Sequence, residues 1–96
     1  MRPSEALRNN RENIRQIVLD HHVTNVRFFG SVLRGDDTED SDLDLLVDPT
    51  SETSLMDIGA IRYKLKKLLG VSVDVLTPGS LPESFRDKII KEALPV

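Results

Sequence analysis

The chain has 96 residues, no cysteine, a formal net charge of −3, and 39% hydrophobic against 30% charged residues. These values suit a single small globular domain spanning residues 1–96 and exclude disulfides and thiolate metal sites. The acidic balance argues against a general nucleic-acid binder, whose affinity rests on neutralising phosphates. No apolar run reaches membrane-spanning length and no secretory leader is visible, so no membrane partner and a cytoplasmic location are expected.

Taken in order, Ser4 is placed to cap a helix running to about Asp20. Leu7, Ile14, Ile17 and Val18 fall on one face of it, and Asn9 and Asn10 weaken its middle. His21 and His22 follow at the helix end, where they suit the helix dipole better than a metal ion. Val23 to Phe29, β-branched and aromatic, reads as a strand that Gly30 ends. Ser31 to Arg34 makes one helical turn, broken by Gly35, and Asp36 to Ser41 is a polar loop. Leu43 to Val47 is a second strand, stopped by Asp48-Pro49.

Ser54 then caps a helix to Leu69, with an apolar stripe of Leu55, Ile58, Ile61, Leu65, Leu68 and Leu69. Gly70 supplies the left-handed residue past its end. Tyr63 on this helix reads as partly buried. Val71 to Leu76 is a third strand, Thr77-Pro78-Gly79 turns the chain, and a last helix runs from Pro82 or Glu83 to Ala93. That helix is expected to bury Phe85, Ile89 and Ile90, and Leu94 to Val96 adds a short extended tail. The pattern predicts an α/β (α+β) fold: a small mixed sheet of three or four strands backed by helices on one face.

The unusual stretch is Gly30 to Val47, GSVLRGDDTEDSDLDLLV, which places two aspartates at the entry of an apolar strand. Ionised groups there cost free energy unless paired or bound to metal. Alternation puts Asp42 and Asp44 on one face, about 7 Å apart by the usual strand rise, with Leu43, Leu45 and Val47 on the other. Asp74, between Val73 and Val75, has the same relation to the third strand. If the two strands pair, three carboxylates converge and would raise one another's pKa unless a cation neutralises them. Magnesium suits such oxygen donors when substrate phosphates complete its shell.

A calcium loop starting at Asp36 fails, because Ser41 stands where glycine is needed and Val47 where the bidentate glutamate belongs. A glycosidase carboxylate pair lacks an aromatic platform in a chain with no tryptophan and one tyrosine. A purely structural role, the two aspartates capping or edging a strand, stays open on these residues alone.

Gly30-Ser31 bears on that choice. A glycine ending a strand, with serine opening a helical turn, lets backbone N–H groups and a hydroxyl approach phosphate oxygens, and Arg34 lies one turn on. Neither a Walker A loop nor a dinucleotide-binding glycine loop is present. Gly30-Ser31 followed after ten residues by Asp42-Leu43-Asp44 resembles the motif of the polymerase-β-like nucleotidyltransferase superfamily. Those four identities would arise by chance in a chain this long on the order of once in a thousand. The form GSVLRG…SDLDLLV resembles in particular the minimal nucleotidyltransferases of the MntA-like antitoxins.

The resemblance implies a nucleotidyltransferase α/β core in which Asp42, Asp44 and Asp74 are catalytic and ligate Mg²⁺, two ions with ATP as substrate. Asp74 would be the base for the attacking hydroxyl. Gly30 and Ser31 would hold the triphosphate, with Arg34 assisting. It also implies transfer of AMP to a tyrosine of a HEPN-domain toxin RNase, in a hetero-oligomeric toxin–antitoxin complex. The small size, with little room for an acceptor pocket, agrees with a partner that brings its own surface. Two alternatives stay open: a small-molecule or tRNA-end acceptor, and an antitoxin that neutralises its partner by occlusion alone.

Overall fold

The expected helix from Ser4 to Asp20 is two helices, α1 (Pro3–Asn9) and α2 (Arg11–Asp20), in a computed structural model that describes residues 1–96. The break has a local cause. Asn10 leaves helical geometry at φ −134° and ψ 21°, and its Nδ2 donates to the Ala6 carbonyl at 2.9 Å. A side chain that offers the backbone such a bond competes with the helix ladder. Nor does Ser4 cap the helix with its side chain. The helix starts at Pro3, and the Ser4 N–H donates to Asp37 Oδ2 at 2.9 Å. An orphan N–H of α1 is therefore satisfied by a residue 33 positions away.

Asp37 is the one charged residue in the buried set, 5% exposed. Burial works against its charge, but the Ser4 N–H and hydroxyl, its own N–H and Arg2 outweigh burial and hold its pKa below the ordinary 3.8. A folded pKa below the unfolded one contributes stability above pH 3.8 that is lost as the pH falls through the folded value. Asp37→Ala should therefore cost about 1–2 kcal/mol at neutral pH. Denaturant melts should show the gap to wild type narrowing as the pH drops below 3.8.

Strand β1 (Val23–Phe29) pairs antiparallel with β2 (Leu43–Pro49), and the register shifts between Thr24 and Arg27, where Asn25 sits at φ 51°. This bulge brings Val23, Val26 and Phe28 to the core side, where strict alternation from Val23 would have brought Asn25 and Arg27. Asp48 secures the bulge, accepting from Arg27 Nη2 at 2.6 Å and from Asn25 Nδ2 at 2.9 Å. Because Asp48 and Pro49 pair with Thr24 and Val23, β2 extends past the expected stop at Val47.

Helix α4 (Leu55–Leu69) carries the chain from β2 to β3 (Val73–Leu76), which lies parallel to β2. Ser54 and Asp57 form a reciprocal capping box at its start, and Gly70, at φ 69°, ends it. A 3₁₀ turn (Pro78–Ser80) leads to α5 (Glu83–Glu92), and β4 (Leu94–Pro95) then pairs with β1. The sheet order is β3-β2-β1-β4. Two arginines of α2 hold this C-terminal stretch. Arg11 Nη1 donates to the Pro95 carbonyl of β4 at 3.4 Å, and Arg15 to the Val96 carbonyl just past it.

The main core joins Leu43, Leu45 and Val47 of β2 to Ile14, Val18, Ile61 and Leu65 of α2 and α4. A smaller cluster, Phe29, Leu46 and Leu81, lies on the other sheet face, with Ile89 and Ala93 packed against it. Phe85, expected inside, is 56% exposed, because it lies a turn before Ile89, over a cleft beside Leu33 and not over the sheet. Ile90 also stays at the surface. On α4 the buried stripe narrows to Ile61, Leu65 and Leu69, with Leu55 and Leu68 exposed beside it. Tyr63 is exposed, about 200° around the helix from Ile61, with Lys67 Nζ 5.6 Å from its ring centre. No helix is long and apolar enough to cross a membrane.

Candidate active site

All the candidate residues fall at one end of the sheet. Chain direction arranges this. β1 ends where β2 begins because the two are antiparallel, and β3 begins beside β2 because those two are parallel. Asp44 therefore stands between Phe29 of β1 and Asp74 of β3, each its partner in register. Adjacent strands lie about 4.8 Å apart, so the pairing makes Asp74 a neighbour of Asp44. Asp42 lies just before β2 and is exposed, whereas Asp44 and Asp74 are half-buried.

Gly30 follows Phe29 and opens α3 (Gly30–Arg34), with φ at 72°. A Cβ there would lie 2.2 Å from Asp44 Oδ2. Two independent constraints thus demand glycine: the left-handed backbone and the carboxylate against it. Ser31 is half-buried in the first turn of α3, and its carbonyl accepts from the Gly35 and Asp36 N–H groups at 3.0 and 3.1 Å. Gly35, at φ 80°, closes the turn. Arg34 is exposed, and its Nε lies 3.3 Å from Asp36 Oδ2.

The electrostatics follow from this placement. Burial, then the charges of Asp74 and Asp42, push the Asp44 pKa from 3.8 up to about 6, and Arg34 is the cation opposing them. An acidic strand end backed by a glycine turn and an arginine is what phosphoryl chemistry needs: a place for a cation beside a place for an anion.

Residues 11–96 match the family described as the nucleotidyltransferase domain. The chain belongs to that family. It is an enzyme of the nucleotidyltransferase type. A candidate protein adenylyltransferase of Methanocaldococcus jannaschii, MJ0435, is 40% identical over 80 residues, 83% of this chain and 86% of that protein. The protein adenylyltransferase MntA of Thermococcus cleftensis is 35% identical over 72 residues, 75% of this chain and 73% of that one. Among solved structures, a candidate minimal nucleotidyltransferase superposes with a TM-score of 0.86 at 40% identity, covering 97% of this chain and 95% of that one. A toxin–antitoxin crystal structure with AMP-PNP shares the fold, with a TM-score of 0.75 at 19% identity over 90% of this chain and 71% of that one.

In this nucleotidyltransferase no three histidine or carboxylate side chains are gathered into a closed metal cluster. Magnesium rarely uses one; it takes one or two carboxylates and completes its octahedron with water and substrate phosphates. The donor set fits that habit, since the excess negative charge at Asp44 is opposed only by the exposed Arg34. His21 and His22 take no part. Their Nδ1 atoms face Asp57 at 3.6 and 3.5 Å, at the start of α4.

What the sequence did not disclose is the nucleotidyltransferase's cleft beside Gly30, about 290 Å³ in volume, to which α5 contributes Phe85 and Lys88. Periodicity reports what a helix buries, and these two side chains are on its exposed part.

Proposed function

We propose that this protein transfers AMP from ATP to a tyrosine hydroxyl of a HEPN-type toxin RNase, in a hetero-oligomeric toxin–antitoxin complex in the cytoplasm. Residues 1–96 would act as a single minimal nucleotidyltransferase domain. The observation that carries the chemistry is Asp44, held between Asp74 in register and Gly30 in contact. What supports the partner is likeness to an MntA adenylyltransferase and a fold shared with a toxin–antitoxin complex.

In this reading Gly30, Ser31 and Arg34 seat the triphosphate, while Asp42, Asp44 and Asp74 hold Mg²⁺. Once bound, Mg²⁺ would draw charge from the α-phosphate and from the leaving pyrophosphate. Asp74 accepts the proton of the tyrosine hydroxyl as its oxygen bonds to the α-phosphorus. The bond from that phosphorus to the bridging oxygen breaks, and pyrophosphate leaves with the electron pair. The close approach at Gly30 keeps the phosphate seat against Asp44, which orients the donor for in-line attack.

The test incubates the protein with α-labelled ATP, Mg²⁺ and a HEPN-type toxin. Label should appear on the toxin, vanish when its acceptor tyrosine becomes phenylalanine, and disappear with an Asp42→Asn, Asp44→Asn double variant. Label on small molecules or tRNA ends but not on the toxin would move the acceptor. Full neutralisation of the toxin by the double variant would make occlusion the mechanism instead.

A further inference from the structure

The cleft beside Gly30 is bounded by Leu33 and Arg34 of α3 and by Phe85, Lys88 and Glu92 of α5. Two cations from different elements therefore line the same cleft as Gly30. Lys88 is exposed and enters none of the seven salt bridges of the chain. Arg34 has only Asp36, at 3.3 Å, with side chains 64% and 61% exposed. Three carboxylates, Asp42, Asp44 and Asp74, stand at this end of the sheet, and the cation on the β3 side, Arg62, is bonded to the Val73 carbonyl at 3.3 Å. One cation without a salt bridge and one in a solvent-exposed pair are both available to an anionic ligand.

Sheet order says which part of the ligand lies there. With β3-β2-β1-β4, Asp74 is on the β3 side of Asp44 and Gly30 on the β1 side. A hydroxyl that gives its proton to Asp74 attacks from the β3 side. In-line displacement expels the leaving group on the opposite side, toward Gly30 and the cleft. We propose that Lys88 joins Arg34 in binding the β- and γ-phosphates of the nucleoside triphosphate and in neutralising the departing pyrophosphate. This rests on the reading of the donor as a nucleoside triphosphate. It adds a residue on α5, more than forty positions beyond the Asp42–Asp44 motif, to the phosphate seat. Glu92, in the same cleft, keeps the pocket from being uniformly positive, which favours release of the product over tight retention.

The experiment measures binding of ATP, AMP and inorganic tripolyphosphate, each with Mg²⁺, by titration calorimetry on the wild type, Lys88→Ala and Lys88→Arg. Lys88→Ala should weaken ATP and tripolyphosphate about tenfold to a hundredfold, as expected for losing a hydrogen bond to a charged group. AMP binding should stay at the wild-type level, and Lys88→Arg should restore most of the affinity. The side chain is exposed, so all three proteins should melt together. Wild-type affinity of Lys88→Ala for tripolyphosphate overturns the proposal and leaves the transferase reading intact. An equal loss of AMP binding also overturns it, because the cleft would then seat the nucleoside. If the wild type binds neither ATP nor tripolyphosphate, the donor reading falls and this proposal with it.

Discussion

Asp44→Asn should lower nucleotidyl transfer by about a thousandfold or more and yet leave a folded, more stable protein. Asparagine keeps the shape of the side chain and removes its charge, and with it the Mg²⁺ donor that the proposed function assigns to Asp44. The gain in stability follows from the sign of the pKa shift. Burial, then Asp74 and Asp42, raise the folded pKa from 3.8 to about 6. Between those values the unfolded chain gives up a proton that the folded chain keeps, so stability is lost as the pH rises from 3.8 through about 6. Above that range the full penalty applies, on the order of 1–2 kcal/mol once solvent screening is allowed for. Asparagine escapes it. Thermal melts in chelator at neutral pH should place the variant above wild type, with the gap closing by about pH 4. Adding Mg²⁺ with a non-hydrolysable triphosphate should raise the wild-type melting temperature and move the variant little. A variant that melts below wild type without metal, or keeps its transfer rate, contradicts the role given to Asp44. The opposition of activity and stability is expected wherever a site stores like charges for a ligand to relieve.

The second large effect is expected from a single methyl group. Gly30→Ala places a Cβ only 2.2 Å from the present position of Asp44 Oδ2, on a backbone held at φ 72°. The left-handed conformation alone costs a non-glycine residue about 1–2 kcal/mol. The collision adds to this, and the carboxylate must move. A misplacement of about 1 Å in a reacting constellation can cost a hundredfold in rate, so transfer should fall by about that factor or more even where the variant remains folded. The control is Gly35→Ala. Gly35 also has positive φ, at 80°, but a Cβ there meets nothing within 4 Å. It should show the backbone cost without the catalytic one. Equal rate losses in the two variants would mean that the contact with Asp44 is incidental.

Much of this site was legible in one dimension because its elements are local. The apolar run before Gly30 is a strand, the Gly-Ser step opens a short turn, and alternation at the start of β2 sets Asp42 and Asp44 apart from the core-facing Leu43 and Leu45. Ser54, Asp57 and Gly70 likewise announce the two ends of α4. The failures have physical reasons of their own. Asn10 splits the first helix by bonding to Ala6, a competition that apolar spacing does not register. Asn25 shifts β1 by one residue, and only the partner strand reveals which side chains then face inward. Phe85 has the spacing of a buried residue, but α5 meets the sheet one turn later, through Ile89 and Ala93.

By itself, then, the sequence determined the strand-turn-strand unit, the identity of its carboxylates and the family to which they belong. All of these depend on residues within about twenty-five positions of one another. Only the tertiary structure decided that Asp74 is the register partner of Asp44, that Gly30 is held against that carboxylate, and that Lys88 and Arg34 line one cleft. Those neighbours come from separate elements. What joins them is a parallel crossover through α4 and the docking of α5, both set by burial of apolar faces, and no local spacing encodes them.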